Sequence, residues 1–177
     1  MPPYATLSIM KTTFKILILS LVLACDAGDD AGVSEAEASR AAEDAVGGDA
    51  GEIERSVEGD TEVWEVHVAM TNGATLEVKV GLDDGEIVVV EDKVGPFDYA
   101  DFTPVQGVLA YQAILAKAQD EVTGDVIAWE FKRELEDGEV GFEYEFYIRD
   151  AEQQLWEIKF DATDGMATSI AAKEEID

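Results

Sequence analysis

Basic side chains and histidine are scarce in this chain. Lysine and arginine together number 12 against 40 aspartates and glutamates, and the formal net charge is −28 at pH 7. A field of this sign repels phosphate backbones and anionic headgroups, which argues against nucleic acid or acidic lipid as a ligand. The single histidine also excludes the helical His-Glu-x-x-His pair with which zinc peptidases hold their metal.

Cysteine is nearly absent too, since Cys25 is the only one. One cysteine cannot form a disulfide within the chain. Nucleophilic catalysis would then need a serine paired with a lysine or an acid, and no serine of the sequence has such a context. His67 alternates with acidic and apolar neighbours as an exposed strand residue would. We therefore expect a protein without enzymatic activity and without a resident cofactor.

Long apolar runs are missing as well. The most apolar stretch, residues 16–24, follows Lys11 and Lys15 and stops at Cys25, so it is far shorter than the roughly 20 residues that span a bilayer. A basic start, a short apolar run and a small residue before cysteine resemble the bacterial lipobox, in which the cysteine is diacylated and becomes the new N-terminus. We expect residues 1–24 to be a lipoprotein signal peptide.

This interpretation predicts where in the cell the protein is located. Cys25 is the predicted lipidation site, and Met10 is a better initiator than Met1 because a signal of ordinary length begins there. Acyl chains act through burial of their methylenes and hold a protein on a membrane without a spanning helix. Residues 25–32 are predicted to form an acidic tether. The expected location is the bacterial cell envelope, on the periplasmic face of the inner or outer membrane.

An internal repeat organises the remaining sequence. Residues 77–85 correspond to residues 157–165, and in each case an alternating strand pattern runs into an Asp-Gly turn. Upstream, residues 64–68 correspond to residues 142–146. Each copy is predicted to open with a helix.

The predicted helices have different start signals. Ser34 and Glu37 form a capping box ahead of an alanine-rich helix that ends at Gly47. In the second copy Thr103 is the predicted N-cap, with Pro104 at the first helical position and an end near Val122.

The segments after each helix alternate with period two, which is typical of antiparallel strands covered on one side. Asn72 and Gly73 predict a hairpin, and Tyr147 falls on the face opposite its aromatic neighbours. The sequence thus predicts an α+β fold of two repeated units, residues 33–94 and 102–177, joined by a linker at residues 95–101. Each unit is expected to pack one helix on a meander of about four strands. The aromatic residues predicted to form the second core are Trp129, Phe131, Phe142, Tyr144, Phe146, Trp156 and Phe160.

The combination of elements in the first copy resembles the PepSY domain. The resemblance rests on a helix with an acidic first turn, the strand at residues 64–68, the Asn72-Gly73 hairpin and the turn at residues 83–87. It is clearest over residues 33–91, whereas residues 102–172 are similar with a longer hairpin loop. The resemblance implies a module found in propeptides of thermolysin-like metallopeptidases and in secreted or membrane-bound proteins, where it is associated with inhibition or control of peptidases.

Carboxylates at one turn are the candidate metal ligands. Asp83, Asp84 and Glu86 offer oxygens that suit calcium (Ca²⁺), and Asp161 and Asp164 occupy the equivalent turn of the second copy. Turns favour aspartate and glycine for backbone reasons alone, and the structural interpretation is the stronger of the two.

Three hypotheses of function are open at this point. The first is a lipid-anchored, non-enzymatic envelope protein that binds another protein through a sheet edge or strand face, with a peptidase as the partner that the resemblance implies. The second is an acidic periplasmic module that binds or senses divalent cations. The third is a structural lipoprotein that spaces a larger assembly.

Overall fold

The computed structural model of the protein describes residues 32–136 and 139–176. These residues fold into helices and strands that form one compact unit. Neither helix of the described residues has the length and apolar content that a bilayer crossing demands. The elements are α1 (Glu35–Val46), β1 (Asp49–Glu58), β2 (Thr61–Ala69), β3 (Thr75–Gly81), β4 (Ile87–Asp92), α2 (Tyr111–Glu121), β5 (Gly124–Glu136), β6 (Glu139–Asp150), β7 (Leu155–Asp161) and β8 (Ala167–Lys173).

The predicted repeat is present in the order of elements, because each helix is followed by a meander of four strands. The two copies also share hydrogen bonds at equivalent places. The carbonyl oxygen of Leu82 accepts from the N–H of Val33 at 2.7 Å, and that of Ala162 accepts from Leu109 at 2.8 Å. Each bond ties the turn after the third strand of a copy to the residue two positions before its helix.

The prediction of two units implied two separate sheets, but the two copies share one sheet. All strands lie in one antiparallel sheet in the order β1 to β8, and β4 of the first copy pairs with β5 of the second. The reason lies in β4, all six residues of which are buried. Left as an edge, such an apolar strand would expose unpaired backbone groups and invite aggregation. Pairing β4 with β5 removes both inner edges at once.

The apolar core is continuous across this junction. One register row crosses the sheet under both helices, and its members from Val66 to Phe160 are fully or almost fully buried. Five of the predicted aromatic core residues are buried, whereas Phe142 and Trp156 are half-buried. Tyr147 lies on the opposite face, as predicted, and is buried there against Ala128 and Leu155. The row is formed by Val66, Val78, Val90, Phe131, Tyr144 and Phe160.

The predicted start and end of α1 are confirmed. The Ser34 hydroxyl accepts from the backbone N–H of Glu37, and the Glu37 carboxylate accepts from the backbone N–H of Ser34 at 3.0 Å. Gly47 ends the helix with φ of 74°, a left-handed conformation that a side chain would strain. The helix buries Ala38, Ala42, Ala45 and Val46 against the sheet.

The predicted start of α2 is wrong. The helix begins at Tyr111, and neither Thr103 nor Pro104 is part of it. Gly107 has φ of 95°, which interrupts any helix running through it. The cap comes from outside the helix instead, because the Asp101 carboxylate accepts from the backbone N–H of Gln112 at 3.1 Å. An aspartate so far upstream is no local start signal, and the Thr-Pro pair was therefore the more visible pattern.

Candidate functional site

The face of the sheet opposite the helices is lined by charged side chains from both copies. Alternation along each strand places them there, since their neighbours point into the core. We call this surface the charged face. It is formed by Glu58, Glu65, His67, Glu77, Lys79, Glu91, Lys93, Glu130, Lys132, Glu143, Glu145, Glu157, Lys159 and Lys173.

One register row of this face consists mostly of glutamates. Glu77 stands opposite Glu91, Glu91 opposite Glu130, and Glu130 opposite Glu145. Like charges in such positions destabilise a sheet. Burial raises the pKa of Glu130, and the charges of Glu91 and Glu145 add to this against the opposing effect of Lys132. Burial likewise raises the pKa of Glu77. The charged forms of Glu77 and Glu130 are therefore disfavoured in this row.

Lysines of the charged face balance part of this charge. The Lys79 ammonium lies 2.9 Å from Glu58, 3.1 Å from Glu77 and 3.3 Å from Glu91. Burial alone would lower the pKa of Lys79, but these carboxylates raise it above its ordinary value. Lys159 repeats the arrangement in the second copy, at 2.7 Å from Glu145.

Glu145 shows the effect of a close partner. Burial alone would raise its pKa, yet hydrogen bonds from Lys159 and Tyr147 hold the pKa below the ordinary value. In the part of the chain that the structure describes, no cation lies within salt-bridge distance of Glu130. The pKa of Glu130 is thus raised, whereas the pKa of its neighbour Glu145 is lowered.

His67 lies on the charged face, as predicted, and faces Glu77 across the β2–β3 pair. Its Nε2 atom is 3.5 Å from a carboxylate oxygen of Glu65, and its side chain is 41% exposed. One ligand atom from each of Glu65, His67 and Glu77 lies within 4.8 Å of the other two. The sequence predicted that His67 is an exposed strand residue, but it did not indicate that these three residues form a cluster.

The residues predicted as calcium ligands lie in a turn, which Asp84 stabilises. One Asp84 oxygen accepts from the backbone N–H of Glu86 at 3.0 Å, and the other pairs with Arg133 at 3.0 Å. Asp83 and Glu86 are exposed. The equivalent turn has the same bond, from the N–H of Met166 to the Asp164 carboxylate at 2.8 Å. These bonds give the aspartates a structural role, and calcium binding at this turn remains a prediction.

A buried aspartate organises the segment that connects the copies. Asp92 is 3% exposed and points to the core side of β4, opposite Trp129. One of its oxygens accepts from the backbone N–H of Val94 at 2.7 Å and of Gly95 at 2.8 Å. The other accepts from the Tyr99 hydroxyl, which in turn accepts from the Trp129 indole at 3.2 Å. The predicted linker, residues 95–101, therefore packs against the sheet through Tyr99.

A cavity of about 570 Å³ lies beside this segment. Phe97, Tyr99, Gln112, Leu115 and Val126 are among its lining residues. The Gln112 side-chain amide donates to the carbonyl of Tyr99 at 2.9 Å. The cavity thus marks where the connecting segment meets α2.

Among the residues that the structure describes, β1 and β8 are the edges of the continuous sheet. The β1 edge is acidic and carries an irregularity between Ala50 and Ile53, a feature that blunts pairing. The β8 edge has no acidic residue and no proline, and most of its residues are exposed. Ile170 is 44% exposed on this strand, and Met166 just before it is 67% exposed. Of the two edges, β8 is the better suited to accept another strand.

The predicted lipidation site, Cys25, lies outside the described residues, together with the predicted signal peptide and most of the predicted tether.

Comparison with known proteins decides the family. The PepSY family, described as "Peptidase propeptide and YPEB domain", matches residues 32–91 and residues 108–170. The chain belongs to the PepSY family. Both matched segments span one helix and its meander, so the protein carries two PepSY units in tandem. The family description names a part of peptidase precursors rather than a catalytic domain.

One solved structure is similar to the chain at a low level. It is the crystal structure of a protein from Clostridium difficile 630 described as a candidate lipoprotein, with 15% sequence identity and a TM-score of 0.34. The match covers 71% of this chain and 83% of that one. No curated protein matches the chain significantly.

Besides the cluster at His67, sequence reasoning missed two features of these PepSY units. The glutamate row depends on strand register, which alternation alone does not supply. Asp92 is the last residue of β4, and a polar residue at the end of an apolar run carries no local sign of a buried cap. The later Gly95-Pro96 pair is a turn signal that could have pointed to a capping aspartate just upstream.

Proposed function

We propose that the protein is a non-enzymatic, lipid-anchored component of the bacterial cell envelope that binds another protein through the β8 edge of its sheet. A peptidase, or the precursor of one, is the proposed partner. The single observation that carries this proposal is the β8 edge, an exposed strand without acidic residues in a protein with a net charge of −28.

The physical argument is β-strand addition. An extended segment of the partner would continue the sheet by main-chain hydrogen bonds with β8, and the exposed side chains would select its sequence. A partner segment at β1 would meet instead several glutamates and a broken register. The family supports the class of partner, because PepSY units occur in peptidase propeptides.

The test is a binding and inhibition assay with residues 26–177 and purified envelope peptidases. We expect a stable complex or slowed turnover, and Ile170→Lys should weaken the effect at least tenfold by placing a charge on the edge. Val57→Lys is the matched control, because Val57 is 62% exposed on the opposite edge. Equal loss in both variants, or no complex with any peptidase, would contradict the proposal.

The anchor is tested separately. We expect cells fed a fatty-acid analogue to label the wild-type chain and not the Cys25→Ser variant, because Cys25 is the proposed acylation site. Labelling of the variant, or release of the wild-type protein from membranes without detergent, would exclude attachment through this cysteine.

A further inference from the structure

We propose that Glu65, His67 and Glu77 form a binding site for a divalent transition metal, with zinc as the expected ion, on the charged face of the first PepSY unit. The three side chains provide one imidazole nitrogen and two carboxylates. This set suits zinc, whereas calcium and magnesium prefer oxygen ligands alone. It is distinct from the acidic turn at Asp83 and from the β8 edge.

Strand register builds the site before any ion arrives. Glu65 and His67 are two residues apart on β2 and so point to the same face, and Glu77 stands directly opposite His67 on β3. Their ligand atoms lie within 4.8 Å of one another. Zinc bonds of about 2.1 Å in a tetrahedron place ligand atoms about 3.4 Å apart. The 3.5 Å between His67 Nε2 and Glu65 already meets this value.

The ligand atom of Glu77 lies within 4.8 Å of the other two, so it needs to move by at most about 1.4 Å to reach the tetrahedral spacing. Its partner allows this movement. Lys79 holds Glu77 at 3.1 Å but also holds Glu58 at 2.9 Å and Glu91 at 3.3 Å. On release of Glu77 the ammonium keeps two carboxylates. Glu77 also stands opposite Glu91 across the β3–β4 pair, so a cation beside this carboxylate would offset the repulsion between the two charges.

The surroundings leave room for a further ligand. His67 and Glu77 line a cavity of about 240 Å³ together with Glu91 and Lys93. Three protein ligands with an open fourth position would let water, or a side chain of a partner, complete the coordination. A site of this kind would give the charged face a metal-dependent contact, which goes beyond the proposed edge pairing.

The test is to titrate tag-free residues 26–177 with zinc chloride in a non-coordinating buffer. Isothermal calorimetry and NMR monitor the titration. His67 is the only histidine of the chain, so a single imidazole signal reports on the site. We expect one zinc ion to bind and this signal to shift in proportion. His67→Gln and Glu77→Gln should each weaken zinc binding at least tenfold, whereas the double replacement Asp83→Asn and Asp84→Asn should change it less than twofold.

Several outcomes would overturn the site. An imidazole signal that does not move at saturating zinc would exclude His67 as a ligand. Equal affinity of the wild type and the His67→Gln variant would show diffuse attraction to acidic groups. Calcium that competes with zinc at equal concentration would likewise show diffuse attraction to acidic groups. The circular dichroism of each variant is compared with that of the wild type, so that a folding defect is recognised as such.

Discussion

Replacement of Asp92 by alanine should destabilise the whole sheet. The change removes an acceptor for three donors, which are the Val94 and Gly95 N–H groups and the Tyr99 hydroxyl. A buried donor left without a partner costs about 1–3 kcal/mol. Val94 is 89% exposed, so its N–H can be hydrated and the total falls below the sum. We expect a loss of about 3 kcal/mol in the free energy of unfolding.

A loss of this size lowers the melting temperature by about 6–12 °C in a chain of this length. The assay is thermal and urea unfolding followed by far-ultraviolet circular dichroism and by tryptophan fluorescence. Asp98→Ala is the matched control, because Asp98 lies exposed on the same connecting segment and accepts one bond from Asn72 at 3.1 Å. The control should change the free energy of unfolding by less than about 0.5 kcal/mol.

A double-mutant cycle locates the effect. Tyr99→Phe removes the hydroxyl that donates to Asp92 and accepts from Trp129, so its effect should not add to that of Asp92→Ala. We expect an interaction energy of about 1 kcal/mol or more. The reasoning is refuted if Asp92→Ala is as stable as the control, or if the two replacements are additive.

Three further predictions concern the strands of the second unit. Gly124→Ala should lower the melting temperature, because an added Cβ would collide with the backbone carbonyl oxygen of Arg149. Gly141→Ala is the matched control and should have little effect, because its added Cβ meets no atom within 4 Å. Glu130→Gln should raise the melting temperature at pH 7. Burial raises the pKa of Glu130, so the charged form of this side chain weakens the fold. The gain should shrink as the pH falls towards 4, because wild-type Glu130 then becomes protonated. Glu145→Gln should do the reverse and destabilise at pH 7 by about 2 kcal/mol, with the difference vanishing as the pH falls through the lowered pKa of Glu145. Melting curves of each variant and the wild type check these outcomes, recorded from pH 7 to pH 4 for Glu130 and from pH 7 to pH 2 for Glu145. A Glu130→Gln gain that grows with falling pH would contradict the sign.

The sequence predicted those parts of the fold whose causes are local. The capping box at Ser34, the left-handed Gly47 and the Asn72 hairpin each depend on residues within a few positions, and the structure contains all three. The aromatic alternation of the second copy predicted its buried face for the same reason. The repeat itself followed from comparing such local patterns along the chain.

The remaining features depend on residues far apart in the chain. The β4–β5 pair joins segments that each copy, taken alone, would leave unpaired, so the prediction of two units did not include it. The start of α2 is set by Asp101 and by the positive φ of Gly107 rather than by Thr103. The cluster at His67 became visible only with the β2–β3 register. Alternation gives the face of a strand residue but not its cross-strand neighbour.

The central claim is that two PepSY units share one sheet, so that β1 and β8 are its edges. Differential scanning calorimetry of residues 26–177 tests this claim most directly. We predict a single transition whose calorimetric and van't Hoff enthalpies agree, because the β4–β5 pair and the common core join both units. Two resolved transitions, or a calorimetric enthalpy about twice the van't Hoff value, would show that the units unfold independently and would contradict the account.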